Sequence, residues 1–402
     1  MKRHAPLIAL LCCLSVLALP LWAADKKKEE PKKGRTPGVE MAAMATQITG
    51  IAISPLLGVS AVGAYQYFQA DTAEAKAALP WFANPSFWLV GLLLVGVCAF
   101  KDTIAATVPP GWKKPLDVLE TVENKVSGLV AAGAVIPSLV SLGSKLVMES
   151  AAAQQGAMLD LGGLAMIHLG AADFSLLLSV LMVPLSVAVF AIVWLASHAI
   201  NALILLSPWA PIDTALKAAR TSLLGLVTAT AWIDPVVGSF LSLIIIVIAY
   251  LVAGWAFRLT VFATVFCWDF LTLRKKRFTP TVDGNWVFAA GKLPGVPLRT
   301  YGRLVKKPGG GLSFVYSPWH LLPERAVDVP EHRKMAVGRG LFFSMIDGDD
   351  ATWFFLPPRY RTHEEQMAEA HGFAGVREAG LRKAWGWIRD SLGFGRKAPA
   401  AA

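Results

Sequence analysis

Residues 238–273 read GSFLSLIIIVIAYLVAGWAFRLTVFATVFCWDFLTL, and the four residues that follow are Arg274-Lys275-Lys276-Arg277. This run exceeds the roughly 20 apolar residues a helix needs to cross a bilayer. It contains two ionisable side chains, Arg258 and Asp269. A basic cluster directly after such a run marks a cytoplasmic flank. The reading is a membrane-spanning helix that hands over to a water-facing segment.

Four upstream stretches read the same way: 86–108, 126–148, 172–206, with Pro184 inside it, and 214–234. A further stretch, 44–68, contains Gly50, Pro55, Gly58 and Gly63, and either spans or re-enters. If it re-enters and the mature N-terminus is outside, then Lys113, Lys114 and Lys125, Lys217 and Arg220, and the 274–277 cluster all fall inside, which satisfies the positive-inside rule. The expected fold is an all-α polytopic membrane domain. It has about five spans plus one re-entrant or sixth span and carries a small C-terminal β-rich soluble module with a terminal amphipathic helix.

Composition agrees with a membrane body. The chain has 402 residues, 55% of them hydrophobic and 16% charged, with a mean hydropathy of +0.51; soluble domains carry roughly 25% charged residues. The net charge of +10 is uneven. Residues 274–402 hold 21 Lys and Arg against 12 Asp and Glu, a net +9, and the other 273 residues hold 17 against 16. A basic domain beside a membrane suits anionic lipid headgroups or plain solvation better than nucleic acid.

Met1-Lys2-Arg3-His4, the apolar run 6–22 and Leu21-Trp22-Ala23-Ala24 have the layout of a secretory signal peptide over 1–24. Residues 25–40 are charged and read as a disordered tether. The transmembrane domain is then 41–273 and the basic module 274–402. Cys12 and Cys13 lie in the leader, and Cys98 and Cys267 lie in apolar segments, so neither a disulfide framework nor a metal site is expected.

Within 41–273 a partial repeat is visible. Trp112, Pro115, Asp117, Gly128 and Pro137 recur in order as Trp209, Pro211, Asp213, Gly225 and Pro235. Ionisable residues inside apolar helices are costly and face protein or water interiors. Here they are Lys101, Asp102, Asp173, His198, Arg258 and Asp269. His198 and Asn201 are i, i+3 neighbours. Asp102, His198 and Asn201 are the candidate intramembrane polar site, for a proton or a small solute.

Residues 41–235 resemble an uncharacterised family of bacterial inner-membrane proteins. The matching pieces are Gly58-Val-Ser-Ala-Val-Gly-Ala-Tyr65, Pro85-Ser-Phe-Trp88, Phe100-Lys-Asp-Thr-Ile104 with Pro109, Leu116-Asp-Val-Leu-Glu-Thr121, and Ser197-His-Ala-Ile-Asn201 with Ser207-Pro208. Where this chain has Lys101 and Ile200, the family tends to have an acidic and a basic residue. The resemblance implies a multi-pass bacterial inner-membrane protein and assigns no activity.

In the last third, residues 278–360 alternate short aromatic runs with breaks. The runs are Asn285–Phe288, Leu312–Tyr316, Gly340–Ser344 and Thr352–Leu356, and the breaks include Gly309-Gly310-Gly311 and Asp347-Gly-Asp-Asp350. This is the pattern of a small antiparallel β module, a compact barrel or a sandwich. Residues 362–395 return to helical texture. Leu381, Trp385, Ile388 and Leu392 share a face flanked by Arg382, Lys383 and Arg389, which fits a helix lying on a membrane surface or packing on the β module. Arg274, Lys275, Lys276, Arg277, Trp385 and Arg389 are the candidate lipid-facing residues. Asp347–Asp350 lacks EF-hand spacing, His363-Glu-Glu lacks a second His, and the Gly run lacks a following Lys-Ser/Thr. No catalytic constellation and no cofactor is expected. Two functions fit: small-solute transport or sensing in the membrane, or a scaffold whose basic tail binds a protein partner or anionic lipid.

Overall fold

The computed structural model describes residues 37–105, 115–134, 136–137, 168–207, 210–330, 332–340, 343–348 and 351–379. The leader 1–24 and most of the tether lie outside these residues. The chain divides into two compact units, Met1–Ala256 and Phe257–Ala402. The division falls inside one continuous helix.

The first unit opens with α1 (Pro37–Ile53) and α2 (Pro55–Gln69). Between them Ser54 leaves helical geometry at φ −139° and ψ 86°. Pro55 is the cause: its ring disfavours the α conformation of the preceding residue, yet it is well suited to the first turn of a new helix. The stretch 44–68 is therefore part of two helices of 17 and 15 residues, each short of a bilayer span. The short α3 (Ala73–Ala77) is capped by Thr72, whose Oγ1 accepts from the Ala75 N–H at 3.1 Å. Next come α4 (Pro85–Ala105), α5 (115–134), α6 (His168–Leu206), α7 (Ala210–Ile233) and α8 (Pro235–Leu271). The unit's core joins Ile51 and Ile53 of α1, Phe190 and Val193 of α6, Leu224 and Val227 of α7, and Ile245 and Ala249 of α8.

This corrects the expected five or six spans. Of the nine α-helices among the described residues, only two contain stretches long and apolar enough to cross a membrane: Pro184–Leu206 of α6, and α8. The reason is charge. In α4 the described apolar stretch is Pro85–Cys98, and the sequence continues with Ala99 and Phe100 before Lys101 and Asp102. The α5 helix carries Asp117, Glu120, Glu123 and Lys125, and α7 carries Asp213, Lys217 and Arg220. The continuation of the 126–148 stretch past residue 137 lies outside the described residues. An eight-stranded sheet also forms a large part of the fold, so the chain is not an all-α membrane domain with a minor appendage.

In the second unit, the last turns of α8 bury Leu259, Phe262, Ala263 and Phe266, a helical stripe at i, i+3, i+4, i+7. The strands are β1 (Asn285–Ala289), β2 (Tyr301–Lys306), β3 (Leu312–Tyr316), β4 (Arg325–Val329), β5 (Ala336–Arg339), β6 (Met345–Asp347), β7 (Thr352–Phe355) and β8 (Val376–Glu378), with α9 (Glu364–His371) before the last. Their order in the sheet is β4-β3-β2-β1-β7-β6-β5-β8. All pairings are antiparallel except β5 with β8. Among the described residues the ends of that order, β4 and β8, do not pair with each other. Alternation gives each face its role. Val287, Leu304, Phe314, Ile346 and Phe354 form one core with Tyr360 and Met367. On the opposite face Phe288 meets Phe262 of α8, with ring centroids 4.6 Å apart. Of the aromatic run Gly340–Ser344, the described residues Gly340, Phe343 and Ser344 lie between β5 and β6 and outside both strands. Of the stretch 362–395, the described part, 362–379, holds α9, stopped by Gly372 at φ 69°, and then β8. The proposed surface helix around Trp385 and Arg389 lies outside the described residues.

Candidate functional site

Trp194, Ser197, His198 and Asn201 follow i, i+3, i+4, i+7 on α6 and so share one face. Ser197, His198 and Asn201 are buried. The break at Ser54 fixes the first contact. A helix end leaves carbonyls without intrahelical partners, and the Ser197 hydroxyl donates to the carbonyl of Ile53, the last residue of α1, at 2.5 Å.

His198 is fully buried, with Nδ1 2.8 Å from Asn124 Oδ1 on α5. An amide oxygen only accepts, so Nδ1 carries the proton and Nε2 presents a lone pair. Nε2 has no hydrogen-bond partner among the described residues. The Trp194 ring stacks on the imidazole at 5.1 Å and 11°, and its buried Nε1–H also has no partner there. Gly128 of α5 makes room for that indole: a Cβ there would lie 2.2 Å from Trp194 Nε1. One turn on, Asn201 Oδ1 accepts from Arg220 Nη1 of α7 at 2.7 Å, and Asn201 Nδ2 has no partner among the described residues. Nearby, α5 and α7 are tied by Lys217 and Glu120 at 2.7 Å. The face thus offers one acceptor and two donors beside a guanidinium. That set can hydrogen-bond a small solute bearing both donor and acceptor groups, or water. It does not form a nucleophile–base pair, because the neighbouring Ser197 hydroxyl is spent on a backbone carbonyl. Among the described residues no group of three His, Cys, Asp or Glu is arranged to hold a metal.

A second polar centre lies wholly in the 257–402 unit. Asp269 of α8 is buried and accepts from Arg359 Nε at 2.7 Å and from the Arg359 backbone N–H at 3.2 Å. Arg274 approaches its other oxygen at 3.9 Å. Burial alone would lower the Arg359 pKa, but the hydrogen bond and charge of Asp269 outweigh it and hold the guanidinium above its ordinary value. Beside it, Arg359 lies 5.9 Å from the Phe278 ring. In the sheet core, Asn285 Nδ2 donates to His371 Nε2 at 2.7 Å. Burial first, then the charges of Lys306 and His332, lower the His371 pKa to about 4, so it is neutral.

The structure thus keeps His198 and Asn201 on one face with Trp194, which the same helical spacing implies, and adds Asn124 and Arg220 from α5 and α7, which spacing along one helix could not reveal. Asp102 lies near the end of α4, and its side chain falls outside the described residues. Arg274, Lys275, Lys276 and Arg277 form the turn after α8, where three are engaged. Arg274 approaches Asp269, the Lys275 carbonyl accepts from His363 Nε2 at 2.7 Å, and Arg277 donates to the Thr272 carbonyl at 2.9 Å. Trp385 and Arg389 lie outside the described residues. Arg359 was invisible as a site residue because its partner is 90 positions away.

Compared with protein-family models, with curated proteins and with solved structures, the chain matches none. The resemblance over 41–235 therefore rests on its quoted residues alone.

Proposed function

We propose that the chain is an integral membrane protein that senses or passes a small polar solute at the His198–Asn201 face of α6. The observation that carries the reading is the hydrogen-bonding capacity left over there. His198 Nε2, Asn201 Nδ2 and Trp194 Nε1 are buried on one helix face and lack protein partners among the described residues. Inside an apolar helix such groups are costly unless a ligand or water uses them.

Membrane residence is supported by α8. Val236, Phe240, Leu243, Ile244, Val247, Ile248 and Leu251 are all exposed, while Ser242, Ile245, Ala249 and Ala253 on the other side are buried. A helix apolar on its outward face belongs in lipid. We place it in a bacterial inner membrane with the 257–402 unit in the cytoplasm, on the excess of Lys and Arg after residue 273. Thermal unfolding of the purified full chain in detergent, across a panel of amino acids, carboxylates and amides, tests the solute. We expect one class to raise the Tm of the wild type and to leave His198→Leu unmoved. No shift for any compound, together with no flux in liposomes, would exclude the reading and leave water as the occupant.

A second reading is a scaffold. It is favoured by β4, an edge strand whose Arg325, Ala326 and Asp328 are exposed and whose backbone can pair with a partner strand. Unchanged partner association after deletion of 274–402 would exclude it.

A further inference from the structure

We propose that the loop Pro318–Pro323 is a membrane-interface anchor, seated in the lipid headgroup layer beside the point where α8 leaves the bilayer. This rests on the membrane reading of α8 and adds to it a lipid-binding surface in the β module.

The loop joins β3 to β4 with the sequence Ser317-Pro-Trp-His-Leu-Leu-Pro323. Single exposed apolar residues are ordinary on protein surfaces, but a contiguous patch marks an interaction site. Here Leu321 is 90% exposed, Trp319 46% and Leu322 48%, and exposed Leu298 sits on the neighbouring β1–β2 connection. The loop is built to hold this shape. The Ser317 hydroxyl donates to the Leu322 carbonyl, and the N–H groups of Leu321 and Leu322 both reach the Pro318 carbonyl, at 3.3 and 3.1 Å. Trp319 and His320 both sit at φ 56°. Two consecutive non-glycine residues in the left-handed region are strained, and such strain persists where the surroundings over-determine it.

Its position names the partner. The Trp319 and His320 rings contact Phe257 of α8, with centroids at 4.9 and 5.7 Å. The next residue, Arg258, donates from Nε to the Leu298 carbonyl at 3.0 Å. The part of α8 before Phe257, from Pro235 to Ala256, measures about 33 Å at the helical rise. That matches the roughly 30 Å hydrocarbon thickness of a bilayer. On this reading α8 leaves the hydrocarbon near Phe257, and the loop packed on Phe257 meets the headgroups there. At that depth Trp and His expose an apolar body and a polar tip to a mixed environment, and a guanidinium such as Arg258 suits headgroup phosphates.

The test is to reconstitute the full chain, with its native cysteines replaced, into vesicles of phosphatidylcholine and phosphatidylglycerol. A polarity-sensitive fluorophore is placed singly at Ile244→Cys, Leu321→Cys and Lys276→Cys. Quenching is read with a nitroxide high on the lipid acyl chain and with aqueous iodide. We expect labels at 244 and 321 to lose most of their emission to the lipid nitroxide and little to iodide, and the label at 276 to do the reverse. Lipid quenching at 244 with iodide quenching at 321 would overturn the anchor and leave the span intact. Protection of 321 from both quenchers would overturn it in favour of a protein contact. Absence of lipid quenching at 244 would overturn both the span and the anchor.

Discussion

Asp269 and Arg359 form the least replaceable contact described in the 257–402 unit. Each is almost fully shielded from water, and they are joined through both the guanidinium and the backbone of Arg359. Removing one partner strands a buried charge, which costs about 3–5 kcal/mol. Asp269→Asn should therefore lower the denaturation midpoint of the full chain sharply. The pair Asp269→Leu with Arg359→Met should recover part of that loss, because no charge is then stranded. A double variant as unstable as the sum of its singles would exclude direct coupling. His371 supplies a pH signature. Its folded pKa of about 4 lies below the ordinary 6.5. Between those values the unfolded chain takes up a proton that the folded chain refuses. Stability conferred by the neutral ring is thus complete above pH 6.5 and is lost as pH falls toward 4, by about 3 kcal/mol in all. His371→Gln keeps an acceptor for Asn285 and removes the titration. Denaturation midpoints measured from pH 7 to pH 4 should fall less steeply for this variant, and equal slopes would contradict the assignment. At this scale the sequence was legible only along one helix. The i, i+3 spacing put His198 beside Asn201. Asn124, Arg220 and Arg359 stayed hidden because their pairings depend on long-range packing.

Among the elements, α8 matches the expected apolar run: 238–273 falls almost wholly within one continuous helix, Pro235–Leu271, and the proposed lipid exit near Ala256 divides it. A lipid tail and a protein core are equally apolar, so a run that first faces one and then the other reads as a single hydrophobic stretch. The markers of the change were Arg258 and Asp269, which the structure assigns to contacts with Leu298 and Arg359. The same ambiguity made 44–68 read as one segment, although Pro55 divides it. Two substitutions test the elements. Ile244→Arg puts a charge near the middle of the outward stripe, where bilayer insertion costs about 2.5–3.5 kcal/mol. The protein should shift from the membrane fraction toward the carbonate-soluble or degraded fraction, and unchanged membrane recovery would count against the span. Gly128→Leu drives a side chain into the Trp194 indole. Overpacking of this kind costs about 1–3 kcal/mol, so the Tm of the full chain should fall. An unchanged Tm would mean that α5 does not press on Trp194.

For the whole molecule, composition pointed to a membrane body, of which two apolar helices of sufficient length remain among the described residues, and it concealed the size of the sheet. The aromatic runs and glycine breaks after residue 278 were legible as a β module. Its size was not, because β4, β5, β6 and β8 are short or polar and gain their strand character from neighbours in the sheet. The charge of α5 and α7 excludes them from the length-and-apolarity test that α8 passes, and the basic turn 274–277 is drawn into contacts of the second unit. The central claim is that α8 meets lipid up to Ala256 and protein and water beyond it. The direct measurement is a nitroxide scan of α8 in vesicles, from Val236 to Leu271, comparing accessibility to dissolved oxygen with accessibility to a water-soluble nickel chelate. The account predicts high oxygen accessibility at 236, 240, 243, 247 and 251. It predicts a switch to chelate accessibility at the exposed Trp268 and Leu271. Oxygen accessibility persisting through Leu271, or chelate accessibility at 243 and 247, would contradict it.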